Sequence, residues 1–364
     1  MDRMNILHVV EDFSYSSGGL RTVIERLNYH LNNQKGFSSY ILSSNKEPED
    51  NIEIVKAENP WLYSVNWGKK ISRILDEKQI NSVHIHGVWM YPQYITAKIC
   101  TKQNIPFLLS THGMYEPWLW EKGTIKKKIY YHLFIKKLFQ KANVVHAITP
   151  SEKNNLIKYF KSSTIVEIPN LIDVFEDTLK LETQDERYIL FLGRITKVKG
   201  LDILVKAFGR LNNKSFKLLI AGKFSDYKQE LEKMIKDHNI ENQIVFKGLV
   251  TGEEKQKLIQ NAFAMVTPSY SEVIGMVNLE GGIQGTPVIT TFQTGLDKGW
   301  SANGGVLIHP NIKELTSALK NVMNWDIHKR NENGAKLKNF VKQRYSWNSR
   351  ITDWLKTYKE VFNA

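Results

Sequence analysis

Short apolar runs alternate along this chain with longer stretches in which apolar residues return every three or four positions. The runs at 5–10, 38–42, 82–86, 106–110 and 143–149 predict buried strands, and 21–31 and 65–75 carry the helical period between them. That alternation is the pattern of βα units on a mostly parallel sheet. A charged stretch of little apolar periodicity, 173–187, interrupts the series. A second series opens at 188–192 and continues through 218–221, 244–246, 264–268 and 287–290. The expected architecture is therefore α/β, with two Rossmann-like domains at 1–173 and 174–345 and a closing segment at 346–364. In that segment Trp347, Ile351, Trp354, Leu355, Tyr358 and Val361 recur at helical spacing, which predicts one buried aromatic face.

A length of 364 residues agrees with two domains, each large enough for its own core. Hydrophobic residues make up 42% of the chain, yet the apolar runs, such as 189–192, fall far short of the roughly 20 residues that cross a bilayer. Residues 1–5 lead into the apolar 6–10, which is too short for a secretory-signal core and lacks a small-residue cleavage site. Cys100 is the single cysteine, so no internal disulfide forms. These features predict a cytoplasmic protein.

Charge adds a partner to that picture. With 50 basic against 37 acidic residues the formal charge is +13, which points to something anionic. Lys122, Lys126, Lys127, Lys128, Lys136, Lys137 and Lys141 crowd one segment without an acidic residue. They stand among Ile125, Ile129, Tyr130, Tyr131, Leu133 and Phe134, just after Trp118, Leu119 and Trp120. Such a segment fits a helix lying on an anionic leaflet, each basic residue near the surface contributing about 1 kcal/mol. The same pattern also describes a solvated helix packed by one face on its own domain.

The richest chemistry lies at 268–289. A strand ending near Pro268 precedes Glu272, Gly275 opens a helix, and Glu280 falls about one and a half turns into it. Free N–H groups at a helix start, here those of Gly275, Met276 and Val277, suit a diphosphate, and carboxylates on either side accept from the hydroxyls of a sugar and a ribose. Two glutamates at an arbitrary helix start are ordinarily just solvated. The neighbouring glycines and the apolar strand at 286–289 shift that balance. A second cluster, Gly193, Arg194 and Lys199, follows the strand at 188–192. A guanidinium and an ammonium leaving a strand's carboxyl end reach the crevice where open α/β sheets bind ligands, and can neutralise a diphosphate there.

Three weaker signals come from the first half. Gly18 and Gly19 follow the first strand and open a helix, so they either permit close backbone approach to a phosphate or mark a turn. His84 and His86 share one strand face, but no third or fourth ligand is near in sequence and no metal is expected. His112 ends another strand, either as a crevice group or as a buried structural histidine.

The stretch from Glu272 to Ile289 resembles the retaining GT-B glycosyltransferases of family 4 (glycosyl transferases group 1). Their hallmark is a Glu-x7-Glu motif within E-G-F-G-x-x-x-x-E-A-x-A-x-G-T-P-V-I. Glu272, Gly275, Glu280, Gly285, Thr286, Pro287, Val288 and Ile289 match it; Val273 and Ile274 stand where Gly-Phe is usual, and Gly281 and Ile283 where Ala is common. The resemblance covers nearly the whole chain. It implies two domains facing across a cleft, 1–173 taking the acceptor and 174–345 the donor, with the final helix crossing back to the first. It also implies that Arg194 and Lys199, in a family G-R-x-x-x-x-K-G, bind the donor phosphates and stabilise charge on the departing diphosphate. On the same grounds Glu280 meets the ribose, Glu272 the sugar hydroxyls and His112 the donor sugar, while His86 belongs to the acceptor pocket and the Gly18-Gly19 loop closes over the phosphates.

The expected activity is transfer, with retention, of a hexose from a nucleoside-diphosphate sugar to a hydroxyl of a polyprenyl-linked saccharide, in bacterial capsule or O-antigen synthesis. Lys126, Lys127 and Lys128 would hold the enzyme on the inner face of the plasma membrane. No cofactor or metal is expected, since the donor is a co-substrate and the chain has no Asp-x-Asp to bridge a metal to a diphosphate. A GT-B-like hydrolysing epimerase or phosphorylase would use the same cleft on a different substrate. A nucleic-acid partner is suggested by the charge alone, with no binding motif behind it.

Overall fold

The computed structural model describes residues 3–116, 128–174 and 187–363. By their contacts they form two compact units, Met1–Asn170 with Arg350–Ala364, and Leu171–Ser349.

The first unit holds strands β1 (Met4–Val9), β2 (Phe37–Ser43), β3 (Glu53–Ile54), β4 (Ser82–His86), β5 (Phe107–Ser110), β6 (Val144–Ala147) and β7 (Thr164–Glu167). They make one seven-stranded sheet in the order β3-β2-β1-β4-β5-β6-β7, parallel throughout. On one face Leu7, Val9, Val83, Ile85, Leu109 and Val145 pack against Trp67, Ile71 and Ile74 of helix Asn66–Glu77. A sheet covered on both sides explains why its strands read as unbroken apolar runs. The other face is polar towards the strand ends, where His8 pairs in register with His84, His86 with Ser110, and Ser110 with His146. Helix Trp347–Phe362 lays Trp354 and Tyr358 on these histidines, with ring centroids 4.6 Å apart for His146 and Trp354 and 5.8 Å for His84 and Tyr358. That helix buries Trp347, Trp354, Tyr358 and Val361, the aromatic face its spacing predicts.

The second unit holds β8 (Arg187–Leu192), β9 (Phe216–Ala221), β10 (Ile244–Gly248), β11 (Ala264–Thr267), β12 (Val288–Thr291) and β13 (Val306–Ile308), in the order β10-β9-β8-β11-β12-β13 and again parallel. Ile189, Phe191, Leu218, Ile220 and Val266 pack with Leu204 and Phe208 of helix Leu201–Leu211 and with Leu315 and Leu319 of helix Ile312–Met323. Both units are thus Rossmann-like. In each, the strand order reverses once, between β1 and β4 in the first and between β8 and β11 in the second. Ligands of open α/β sheets bind outside the carboxyl ends of the strands at such a reversal.

The contact boundaries fall at Asn170/Leu171 and Ser349/Arg350, beside the 173/174 and 345/346 drawn from the sequence. A bridge between Ile172 and Ser346, and the Trp347 N–H donating to the Ile172 carbonyl at 3.1 Å, hold these flanking residues within the second unit.

The lysine-rich segment is described from Lys128 onward; Trp118, Trp120, Lys122, Ile125, Lys126 and Lys127 lie outside the described residues. From Lys128 the chain is helical, passes through a π-helical turn at Tyr131–Ile135 and ends in helix Lys136–Phe139. Tyr131, Ile135 and Phe139 are buried, whereas Ile129 is 53% exposed, Leu133 71% and Phe134 38%. Among the described residues no helix is long and apolar enough to cross a membrane.

Candidate active site

At the reversal in the second unit two loops leave neighbouring strands and are stitched together. The first leaves β8 through Gly193, whose carbonyl lies where a Cβ on Gly222 would come within 1.8 Å, so the ends of β8 and β9 touch. Arg194 follows, exposed and with no side-chain partner among the described residues. Buried Ile195 anchors the loop, and a 3-10 turn at Lys197–Lys199 delivers Gly200, at φ 70°, to the start of helix Leu201–Leu211. The second loop leaves β11 at Pro268. A Cβ on Gly200 would meet the Pro268 carbonyl oxygen at 2.0 Å, so this left-handed position admits no side chain. The Tyr270 N–H donates to the Val198 carbonyl at 2.9 Å, and the Tyr270 hydroxyl to Asp202 at 2.7 Å.

This stitching brings Lys199 against Glu272, and the two form an ion pair. Both are partly buried, with side-chain exposures of 16% and 24%. The Glu272 N–H reaches the Gln293 carbonyl at 3.3 Å and the Ile274 N–H the Thr294 carbonyl at 2.9 Å, tying the loop to the segment after β12. Ile274 sits at φ 39°, a left-handed conformation that is costly for a β-branched residue, with its side chain buried. Gly275 then caps helix Met276–Ile283 without a side-chain hydrogen bond, so the N–H groups of Met276 and Val277 have no carbonyl one turn back to bond. On the helix body Glu280 pairs with Lys255 of helix Gly252–Asn261 at 2.7 Å. At Gly281 a Cβ would meet Met265 Sδ at 2.6 Å and Val288 Cγ2 at 2.7 Å, which accounts for glycine where alanine is common.

Gly193, Arg194, Lys199, Glu272, Gly275, Met276, Val277 and Glu280 therefore all belong to one unit and to the loops and helix around one strand reversal. Lys199 pairs with Glu272 and Lys255 with Glu280, while Arg194 stands exposed in the loop that carries Lys199, an arrangement able to take an anion and accept from hydroxyls together. Lys255 was not singled out from the sequence. Its helix precedes β11 and the motif follows that strand, so Lys255 and Glu280, 25 positions apart, share no local spacing and meet only through the fold.

The first unit places Gly18 and Gly19 after β1 and His86 at the end of β4, on either side of its own reversal. Gly18, at φ 64°, ends a 3-10 turn at Tyr15–Ser17 and caps helix Gly19–Asn32. Arg21 holds this loop: it is buried, bonds Asp50 at 2.5 Å and stacks on the rings of Phe13 and Tyr15. His112 is half-buried at φ 49° in the turn after β5. Beneath that turn lies fully buried Glu152, which accepts from Thr111 Oγ1 and the Gly113 N–H at 2.6 Å each and from the Ile148 N–H at 2.7 Å. Burial raises its pKa, and the three donors oppose that. Arg21 carries no sequence signal beyond its charge; Glu152 stands three residues after Thr149, the spacing of a helix start, and its N–H donates to Thr149 Oγ1 at 3.1 Å, but that spacing does not predict its burial. Lys128 is exposed at the start of its helical stretch, and Lys126 and Lys127 are outside the described residues.

The sequence showed His84 and His86 without a further ligand nearby. The structure supplies one from β1: nitrogen atoms of His8, His84 and His86 lie within 4.8 Å of one another. All three are buried, which lowers their pKa values, that of His8 to about 3. Burial likewise lowers His112 to about 3 and His146 to about 4. These are neutral imidazoles at physiological pH.

Residues 17–175 match the family model Glycosyltransferase Family 4, and residues 173–340 match Glycosyl transferases group 1. An uncharacterized glycosyltransferase of Methanocaldococcus jannaschii is 32% identical across 48% of this chain and 45% of its own length. This chain thus spans under half of that relative. A second uncharacterized glycosyltransferase of the same organism is 27% identical across 94% of this chain and 95% of its own. Among solved structures, Anabaena HepE in complex with UDP and glucose superposes with a TM-score of 0.76 and 16% identity, across 98% of this chain and 100% of that one.

Proposed function

We propose, for a chain that belongs to the glycosyltransferases of group 1 and family 4 and has their GT-B fold, that the donor is a nucleoside-diphosphate hexose and that transfer retains the configuration at the anomeric carbon. The observation that carries this reading is the juxtaposition in the second unit of a free guanidinium, two Lys–Glu pairs and an uncapped helix start. Arg194, Lys199 and the N–H groups of Met276 and Val277 take the diphosphate. Glu280 accepts from the ribose hydroxyls and Glu272 from those of the sugar. In the reaction the bond from the anomeric carbon to the phosphate oxygen breaks, a bond to the acceptor oxygen forms on the same face, and the acceptor proton passes to the leaving phosphate. Lys199 and Arg194 stabilise the charge that develops there. No residue of this site demands a metal for that step.

A thermal-protection screen with UDP-, GDP- and ADP-sugars tests the donor. At 100 times its dissociation constant a true donor adds about 2.7 kcal/mol of stability, and Glu280→Ala is expected to weaken that protection about tenfold in concentration. Protection by none of them, or conversion of a donor to an isomer without any acceptor, would overturn the reading.

The acceptor we assign to the first unit, as a saccharide on a polyprenyl carrier at an anionic membrane surface, the setting of bacterial surface polysaccharide assembly. Exposed Ile129, Leu133 and Phe134 beside exposed Lys128, Lys136 and Lys137 support it, because burial of the apolar side chains and attraction of the lysines to acidic headgroups act together. The protein is expected to float with liposomes containing phosphatidylglycerol and to stay behind with purely zwitterionic ones. Equal behaviour towards both would remove the membrane from the proposal.

A further inference from the structure

The buried histidines of the first unit assign their own protons. The carbonyl of Ile168 can only accept, so the His146 Nε2 at 2.7 Å carries a hydrogen and its Nδ1 does not. Ser110 must then donate to His146 Nδ1 at 2.8 Å, which leaves its oxygen to accept from His84 Nε2 at 2.7 Å. The bare His84 Nδ1 accepts from the Tyr358 hydroxyl at 2.7 Å. Every ring nitrogen on this branch is satisfied and its direction is single.

A second branch runs from His8 Nδ1 to His86 Nε2 at 2.9 Å, and from His86 Nδ1 to His112 Nε2 at 2.9 Å. Its inner end, His8 Nε2, is buried with no hydrogen-bond partner among the described residues. Both nitrogens of His84 and both of His86 are thus engaged, and a metal ion on the His8, His84 and His86 cluster would have to break those bonds. The direction of the second branch follows from its inner end. A buried N–H with no acceptor is rarer and costlier than a buried lone pair with no donor. His8 therefore keeps its hydrogen on Nδ1 and donates to His86, and His86 donates from Nδ1 to His112.

We propose that His8 and His86 are positioning residues that fix His112 as the neutral Nδ1–H tautomer, so that its half-buried ring offers a hydrogen-bond donor to a substrate oxygen. His112 Nε2 is occupied by His86, and Nδ1 has no partner among the described residues. Glu152, the buried carboxylate bonded to this turn, spends its oxygens on Thr111, Gly113 and Ile148, and the Glu116 side chain, also in the turn, accepts from Asn155. The His112 ring therefore takes its orientation from the histidine branch and not from a carboxylate, the group that orients many catalytic histidines. The identity of the oxygen as a sugar's rests on the transferase reading above; the tautomer does not.

The test is long-range 1H–15N correlation on the full chain labelled with 15N-histidine. The wild type is expected to show His112 protonated on Nδ1 and bare on Nε2. In His86→Leu that pattern should give way to Nε2–H or to a mixture, and in His86→Asn, whose side-chain amide replaces the Nδ1–H donor, it should return. Should His86→Leu fail to fold, His8→Phe, which removes the donor at the start of the branch, is expected to loosen the His112 tautomer in the same way. His112 protonated on Nε2 in the wild type, or an unchanged tautomer in the folded variants, would overturn the proposal. With UDP-glucose as the probe, His112→Asn, which retains an N–H near the Nδ1 position, should keep at least ten times more kcat/KM than His112→Ala; equal losses would also count against it. Absence of any donor protection in the wild type fails the transferase reading instead and leaves the tautomer result standing.

Discussion

Lys199→Met is expected to lower turnover about a hundred- to a thousandfold while donor protection falls far less, the range seen when one preorganised donor to developing charge is removed. In the free protein the Lys199 ammonium is matched by Glu272, its ion-pair partner among the described residues. Arrival of a diphosphate offers that ammonium a stronger anion, and charge grows on the leaving phosphate as the glycosidic bond lengthens, so the interaction strengthens towards the transition state. Methionine keeps the stem and removes the charge. It also leaves the Glu272 carboxylate partly buried and unmatched beside an incoming anion, a penalty that Glu272→Gln should relieve in the double variant. The two substitutions share one interaction, and their effects on kcat should fall short of additive by at least a factor of ten. Initial rates with the donor that protects best would measure this. A Lys199→Met enzyme within threefold of wild-type kcat would remove Lys199 from the chemistry. Glu280→Ala offers the contrast, because its partner Lys255 sits on another helix and its proposed work is binding, which moves KM before kcat.

Much of the scaffold was legible in the chain. The apolar runs that became β1, β2, β4 to β6 and β8 to β12 stood out because a parallel sheet buries both faces. The edge strands Glu53–Ile54, Thr164–Glu167 and Val306–Ile308 did not: the first and last are two and three residues long, and Thr164–Glu167 is only half-buried, with two apolar residues between polar ends. Glycines and glutamates around 272–285 pointed to a helix start after a strand, and helix Met276–Ile283 begins there. Side chains joined only by the fold stayed invisible. Lys255 reaches Glu280 from a separate helix, and His8 comes to His86 because β1 and β4 are neighbours in the sheet though far apart in the chain. Buried charge was equally silent: Arg21, Glu152 and Arg330 look like surface residues in the sequence, yet each ties down a loop or a run of carbonyls. The resemblance of 272–289 to a family motif suggested which residues meet the donor, but not that the two glutamates rest on lysines before it arrives.

Gly200→Ala should damage both stability and turnover. At φ 70° an alanine costs about 1–2 kcal/mol in strain. Its Cβ would also stand 2.0 Å from the carbonyl oxygen of Pro268, a backbone atom that cannot swing aside as a side-chain end would. Relief requires the β8 loop and the β11 loop to part, at a further 1–3 kcal/mol or so. The loss in denaturant-measured stability is therefore about 2–5 kcal/mol. Gly252→Ala is the matched control: it has φ 54° and open space around the added methyl, so it isolates the strain. Parting the loops breaks the hydrogen bond from the Tyr270 N–H to the Val198 carbonyl and draws Lys199 away from Glu272. Turnover in Gly200→Ala, measured at a temperature where the variant is fully folded, should accordingly fall by about tenfold or more, whereas Gly252→Ala stays near wild type. Equal stability in the two variants would mean that the close approach of the loops is not rigid. Wild-type turnover in Gly200→Ala would mean that their spacing does not set the placement of Lys199.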